Sequence, residues 1–162
     1  MPGAPIDDFT ATLDDGRRVA FSELLAAGPA VVFFYPKAFT PGCTAESCHF
    51  RDLAAEFAAV GAQRFGVSRD SVDTQASFRE RYGLDFPLIA DEDGSVAKVF
   101  GAKRMGPLPS KRQTYVVDTD RTILKVISSE MNMDVHADEA LNVLRGLDRV
   151  ITLPSDQPAA HE

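Results

Sequence analysis

Two cysteines lie five positions apart in this chain, Cys43 and Cys48, and the first stands where a thiol becomes reactive. The apolar run Ala30-Val31-Val32-Phe33-Phe34-Tyr35 reads as a strand, the segment from Thr44 onward reads as a helix, and Pro36-Lys37-Ala38-Phe39-Thr40-Pro41-Gly42-Cys43 joins them. The first amides of a helix lack intrahelical partners and carry the positive end of its dipole, so they favour thiolate over thiol at Cys43. The alternative is an inert, buried small side chain, the common state of a lone cysteine. Cys43, Cys48 and the adjacent His49 do not have metal-site spacing, since they supply neither a C-x2-C pair nor a second pair elsewhere. A bridge between the two cysteines closes too small a loop to staple a chain of this size. In a reducing compartment, a close pair of this kind points to redox chemistry.

The string PKAFTPGC fits the P-x-x-x-T-x-x-C signature of the peroxiredoxins, and PGCTAESCHFRD resembles their bacterioferritin-comigratory, or PrxQ, branch. The likeness continues through Phe86-Pro87-Leu88 with Asp91 behind it, Phe100-Gly101 and Arg112-Gln113-Thr114-Tyr115-Val116-Val117-Asp118, covering about residues 5 to 150. The resemblance implies a thioredoxin-like α/β fold, a central mixed β-sheet flanked by helices. It implies a thiol peroxidase acting on hydrogen peroxide and organic hydroperoxides, recycled by thioredoxin or a similar dithiol. It also implies a monomer that needs no cofactor, whether metal, haem or flavin.

Reducing a hydroperoxide requires a thiolate to attack one oxygen in line with the O–O bond while the other leaves carrying negative charge, so the site must stabilise two anions. Cys43 is the expected nucleophile. Thr40 can offer its hydroxyl to the peroxide as donor and acceptor while backbone amides near Gly42 and Cys43 point at the oxygens; it also suits an ordinary N-cap. Pro36, with fixed φ and no N–H, shapes the loop and shields the thiolate, or simply ends the strand. Arg112 rests on the resemblance, since Lys103, Arg104, Lys111 and Arg112 otherwise read alike as a solvated basic loop. A guanidinium there can hold thiolate and peroxide oxygen together. Glu46, one turn after Cys43, matches the acid of the family at that position, and either orients this arginine or is a plain N-terminal helix acid.

Cys48 is the expected resolving thiol, or else a passenger on a helix face. On an intact helix, Cα atoms five positions apart are about 8.7 Å from each other, beyond the roughly 7 Å that a disulfide tolerates. The helix start must therefore unwind before the bond forms. His49 reads as a polar surface histidine, His136 as a cap of the last helix and His161 as part of the tail, while Met131 and Met133 read as gap-fillers. Two other functions remain open. A thiol-disulfide oxidoreductase on the same fold normally uses C-x-x-C, where this chain has C-x4-C. A redox-controlled holdase would unfold the Cys43 helix on oxidation and expose Phe50 and Phe57. Steady peroxide turnover separates the peroxidase from both.

The positioning elements follow from periodicity, which alternates between strand and helix signals as in a sheet covered by helices. Strands are expected at residues 9–13, 30–35, 63–67, 86–90, 114–118 and 122–128, with a turn at Asp14-Asp15-Gly16 and another through Asp118-Thr119-Asp120-Arg121. Helices are expected at 21–27 begun by Ser22, at 44–60 as one piece, at 71–82 between Ser71 and Gly83, at 95–100 and at 137–150. The 162 residues, 44% of them hydrophobic, suit one domain over residues 1–153, with the proline-containing tail 154–162 expected to be disordered. Lys+Arg 17 against Asp+Glu 24 gives a net charge of -7, which disfavours nucleic acid as a partner. The opening residues lack a basic and apolar leader, and no apolar run approaches a membrane span, so a cytoplasmic protein is expected.

Overall fold

The computed structural model describes residues 3, 5–104, 108, 110–130 and 132–152, the last six as backbone only. A short antiparallel pair, β1 (Thr10–Thr12) and β2 (Arg18–Ala20), precedes a five-stranded mixed sheet. Its central strand is β3 (Ala30–Phe34), with β4 (Gln63–Ser68) parallel on one side and β5 (Leu88–Ala90) parallel beyond that. On the other side β6 (Gln113–Val117) runs antiparallel to β3, and β7 (Ile123–Ser128) antiparallel to β6. The helices are α1 (Phe21–Leu24), α2 (Pro41–Asp52), α3 (Ala54–Ala59), α4 (Val72–Tyr82), α5 (Ser95–Phe100) and α6 (Asp134–Thr152). Among the described residues, no helix is long and apolar enough to cross a membrane.

β3 is an unbroken apolar run because both of its faces are covered. Ala30, Val32 and Phe34 pack with Phe65, Val67, Phe100 and Tyr115 beneath α1 and α5. Val31, Phe33 and Tyr35 face the opposite way into a core with Phe50, Phe57, Phe78 and Leu141, from α2, α3, α4 and α6. Cys43 is part of this second core.

The expected elements occur in the expected order, with β2 as a strand outside the expected set, and several bounds differ for reasons the packing supplies. α2 begins at Pro41, not Thr44, because proline at the first helical position needs no N–H partner, so Cys43 lies inside the first turn. The helix expected as one piece to residue 60 breaks at Leu53 (φ -98°, ψ 22°). There Arg64 Nη1 donates to the Phe50 carbonyl at 2.8 Å, so a side-chain donor occupies an acceptor of the helical ladder. The helix at 21–27 is α only to Leu24 and 3-10 over Leu25–Ala27. Its N-cap is Ala20, because Ser22 bonds instead to Asp8 through its N–H (2.9 Å) and hydroxyl (2.6 Å). α4 keeps its expected ends: Ser71 Oγ accepts from Thr74 N at 3.2 Å, and Gly83 closes it in the left-handed region. α6 begins at Asp134, so His136 lies within the helix and does not cap it. The tail from residue 154, with His161, and the gap-filling expected of Met131 lie outside the described residues.

Candidate active site

The loop between β3 and α2 is pinned from β4. Ala38 N donates to Asp70 Oδ2 at 2.8 Å, and the same oxygen accepts from the Ser68 hydroxyl at 2.6 Å. Tyr35, wholly buried, donates its hydroxyl to Gln75 Oε1 at 2.7 Å and fixes the exit of the strand. Within the loop, Phe39 adopts φ 69°, a left-handed conformation that costs a non-glycine residue about 1–3 kcal/mol and tends to occur at functional sites. Its ring, 46% exposed, sits edge-on against Phe78 at 5.1 Å.

Thr40 holds the N-cap position of α2, but its hydroxyl makes no capping bond. It donates to the Lys37 carbonyl at 2.7 Å, which turns the lone pairs of Oγ1 outward as acceptors. The ordinary capping role is therefore absent. The first helical bond runs from Thr44 N to the Thr40 carbonyl at 2.9 Å, so the Gly42 and Cys43 amides precede the ladder, as a helix start requires. Pro36 is half-buried where the strand ends.

Cys43 is wholly buried, and Arg112 Nη2 donates to its Sγ at 3.3 Å. Arg112 Nη1 donates to Glu46 Oε1 at 2.7 Å, so one guanidinium spans the thiol and a carboxyl one helical turn beyond it. Glu46 is 0% exposed and lies beyond the first turn of α2, so it is not the plain N-terminal helix acid of the alternative reading. Burial pushes its carboxyl up from 4.5 to about 8, against the lowering pull of Arg112. Gly42 lies against this group: a Cβ there would meet Arg112 Nη2 and Met133 Sδ, each at 3.4 Å. Of the other cations in the basic loop, Arg104 pairs with Glu130 at 3.3 Å and Lys103 donates to the Arg104 carbonyl at 3.3 Å, while Lys111 is exposed. Neither Arg104 nor Lys103 reaches Cys43 among the bonds of the described residues.

Both cysteines are free thiols in one continuous helix. Cys48 is half-buried, and burial raises its thiol above the ordinary value against the pull of Arg51. Its neighbour His49 is not simply a surface histidine, since Nε2 meets Asp138 Oδ1 of α6 at 2.8 Å. Two residues behind the site carry no site role in the sequence reading, which makes one of them, His136, a helix cap. His136 and Thr114, both 0% exposed, bond through Nδ1 and Oγ1 at 2.8 Å, and His136 Nδ1 lies 3.7 Å from Glu46 Oε2. The signal for His136 is its place on the buried stripe of α6 with Ala137, Ala140, Leu141 and Leu144.

The AhpC/TSA family matches residues 2–126 of this sequence. The peroxidoxin BcpB of Mycobacterium tuberculosis has the same fold at a TM-score of 0.87 and 52% identity, over 90% of this chain and 97% of that one. The chain belongs to the AhpC/TSA family of peroxiredoxins. Among its relatives is the chloroplastic peroxiredoxin Q of Oryza sativa subsp. japonica, 37% identical over 90% of this chain and 67% of that protein. A solved bacterioferritin comigratory protein of Xanthomonas campestris, described for its alkyl peroxide reduction activity, matches at a TM-score of 0.78 and 30% identity, over 91% of this chain and 96% of that one. This peroxiredoxin thus has the thioredoxin-like fold of its relatives and is a thiol-dependent peroxidase that reduces hydroperoxides.

Proposed function

We propose that Cys43 is the attacking thiolate, that Arg112, Thr40, Pro36 and Gly42 build its pocket with Glu46 behind Arg112, and that Cys48 resolves the product. The observation that carries this is the Arg112 guanidinium, 3.3 Å from Cys43 Sγ and 2.7 Å from Glu46, at the first turn of α2. The permanently charged fork stabilises the thiolate before attack and the leaving oxygen after it. Thr40 Oγ1, its own proton committed to Lys37, accepts a hydrogen bond from the peroxide. Gly42 and Cys43 amides face the developing charge, and Pro36 adds no competing donor.

The sulfur of Cys43 attacks the terminal oxygen, the O–O bond breaks, and sulfenic acid and alkoxide form. Cys48 then attacks the Cys43 sulfur, releasing water and closing a disulfide. Thioredoxin or a similar dithiol gives up two electrons and two protons to restore both thiols, a cycle suited to a reducing cytoplasm. Organic hydroperoxides are substrates alongside hydrogen peroxide, supported by the activity described for the Xanthomonas protein. Every group in the centre comes from one chain, so a monomer suffices. Peroxide consumption coupled to thioredoxin, thioredoxin reductase and NADPH tests the whole cycle. Cys43→Ser should abolish it, because an alcohol neither ionises near neutral pH nor attacks as a soft nucleophile. Substantial turnover in that variant would remove Cys43 from its role.

A further inference from the structure

Glu46 uses only one of its two oxygens. Oε1 accepts from Arg112, while Oε2, wholly buried, has no hydrogen-bond partner and faces His136 Nδ1 at 3.7 Å. The tautomer of that histidine follows from its partners: Nε2 lies 2.8 Å from the Ser129 carbonyl, which only accepts, so Nε2 carries the hydrogen. Burial holds the ring below its ordinary value against the Ser129 bond, with the Arg112 charge adding to the effect, and so keeps it neutral. Nδ1 is then a lone pair, to which the Thr114 hydroxyl donates at 2.8 Å. That single lone pair is thereby taken, and an ionised Oε2 would stand in the core with no donor of its own. A proton on Oε2 removes that unsupported buried charge, and the upward push of burial on this carboxyl acts in the same sense.

Charge counting around Arg112 leads to the same place. One cation faces two potential anions, Cys43 on Nη2 and Glu46 on Nη1, inside a core where an unpaired charge is costly. The remaining acid nearby, Glu130, is exposed; its Oε2 pairs with Arg104 and accepts from Arg112 N at 3.2 Å. We infer that Glu46 is the charge-compensating acid of the centre: it is protonated while Cys43 is a thiolate, and ionises when oxidation turns that thiolate into neutral sulfenic acid. The reading of Cys43 as the attacking thiolate underlies this. The balance is Cys43–S⁻ + ROOH + Glu46–COOH → Cys43–SOH + ROH + Glu46–COO⁻. Sulfur loses two electrons to the O–O bond, the terminal O–H goes to sulfur, and the alkoxide is matched by the proton that Glu46 releases. Arg112 keeps one counter-anion throughout. Glu46 acts through Arg112 and does not touch the reacting oxygens.

The test is a proton count on the full chain carrying Cys48→Ser, which stops the reaction at sulfenic acid. One equivalent of hydrogen peroxide is added in weak buffer near neutral pH with an indicator dye, and Cys43 oxidation is scored by mass spectrometry. With Glu46 present, net proton uptake should be close to none; with Glu46→Gln added, it should rise to about one proton per Cys43 oxidised, since the amide keeps the Arg112 acceptor but has no proton to give. Well above pH 8, where Glu46 is already ionised, both proteins should take up about one. Equal uptake at neutral pH with Cys43 oxidised in both would overturn the inference and leave the nucleophile standing. Unmodified Cys43 would overturn both. Infrared difference spectra of the Cys48→Ser protein supply a check that does not require the glutamine variant to fold: oxidation should bleach a protonated-carboxyl band, and its persistence would refute the exchange.

Discussion

At the residue scale, the proposed peroxidatic centre is a problem of sharing one positive charge. Arg112 is 7% exposed, so its interactions with Cys43 and Glu46 are little screened by solvent. Arg112→Ala should slow stopped-flow oxidation of Cys43 by about 10²–10³-fold, the usual cost of removing a preorganised donor to developing charge. A change of no more than twofold would make it a structural residue only. The carboxyl behind it leaves a signature in stability. Glu46 ionises near 4.5 when unfolded and near 8 when folded, so between these values the native state holds a proton that the unfolded chain has released. That contribution is fully present below the lower value and is lost as pH rises through the upper one. Urea midpoints of the wild type should therefore fall relative to those of Glu46→Gln across this window; parallel midpoints would mean the carboxyl is ionised throughout.

At the scale of elements, the proposed cycle asks α2 to be both a platform for Cys43 and a segment that comes apart. Its C-terminal end is tied to the scaffold by Arg64 to the Phe50 carbonyl at 2.8 Å and by Arg51 to the Tyr82 carbonyl at 2.6 Å. Its middle is tied to α6 through His49 and Asp138, a half-exposed pair of modest strength. A Cys43 to Cys48 disulfide is incompatible with a continuous helix, so oxidised protein should lose hydrogen-exchange protection over residues 41–50 while α3, beyond the break at Leu53, keeps it. If the His49–Asp138 contact must break first, Asp138→Ala should speed disulfide formation after peroxide by about two- to fivefold, as expected for the loss of one weak surface contact. An unchanged rate would show that this contact persists through the unwinding.

For the molecule as a whole, the sheet separates two cores with different duties. Cys43 and Phe50 belong to one, with the Phe33 and Phe50 rings stacked at 4.1 Å, whereas Phe100 packs on Phe9, Phe21, Phe34 and Tyr115 on the opposite face. Phe100→Ala should cost about 3–5 kcal/mol of stability in urea unfolding. Oxidation of Cys43 in the protein that remains folded should be nearly unchanged, because the strand backbone insulates the site from that cavity. A large loss of rate without unfolding would show that the two layers are mechanically coupled.

What the sequence by itself determined is what covalent neighbours can decide. Pro36, Thr40, Gly42 and Cys43 lie within one loop and one helical turn, so their spacing along the chain sets their relative placement, and the thiol at a helix start is legible without a fold. The caps of α4 are local too, since Ser71 and Gly83 bond only to their own helix. Tertiary structure decided the rest. Which cation meets Cys43 depends on a contact across 69 positions, and composition alone leaves Arg112 and Arg104 equivalent until the packing of β6 buries one and leaves the other paired with Glu130 at the surface. The break in the long helix depends on Arg64 arriving from β4 to occupy the Phe50 carbonyl. His136 looks from sequence like a cap because its chemistry is polar. Only the burial of α6 against the sheet turns it inward, where Thr114, Ser129 and Glu46 converge on its ring. Short-range chemistry follows the covalent chain, while the charge balance of a buried site follows which distant groups the core brings together.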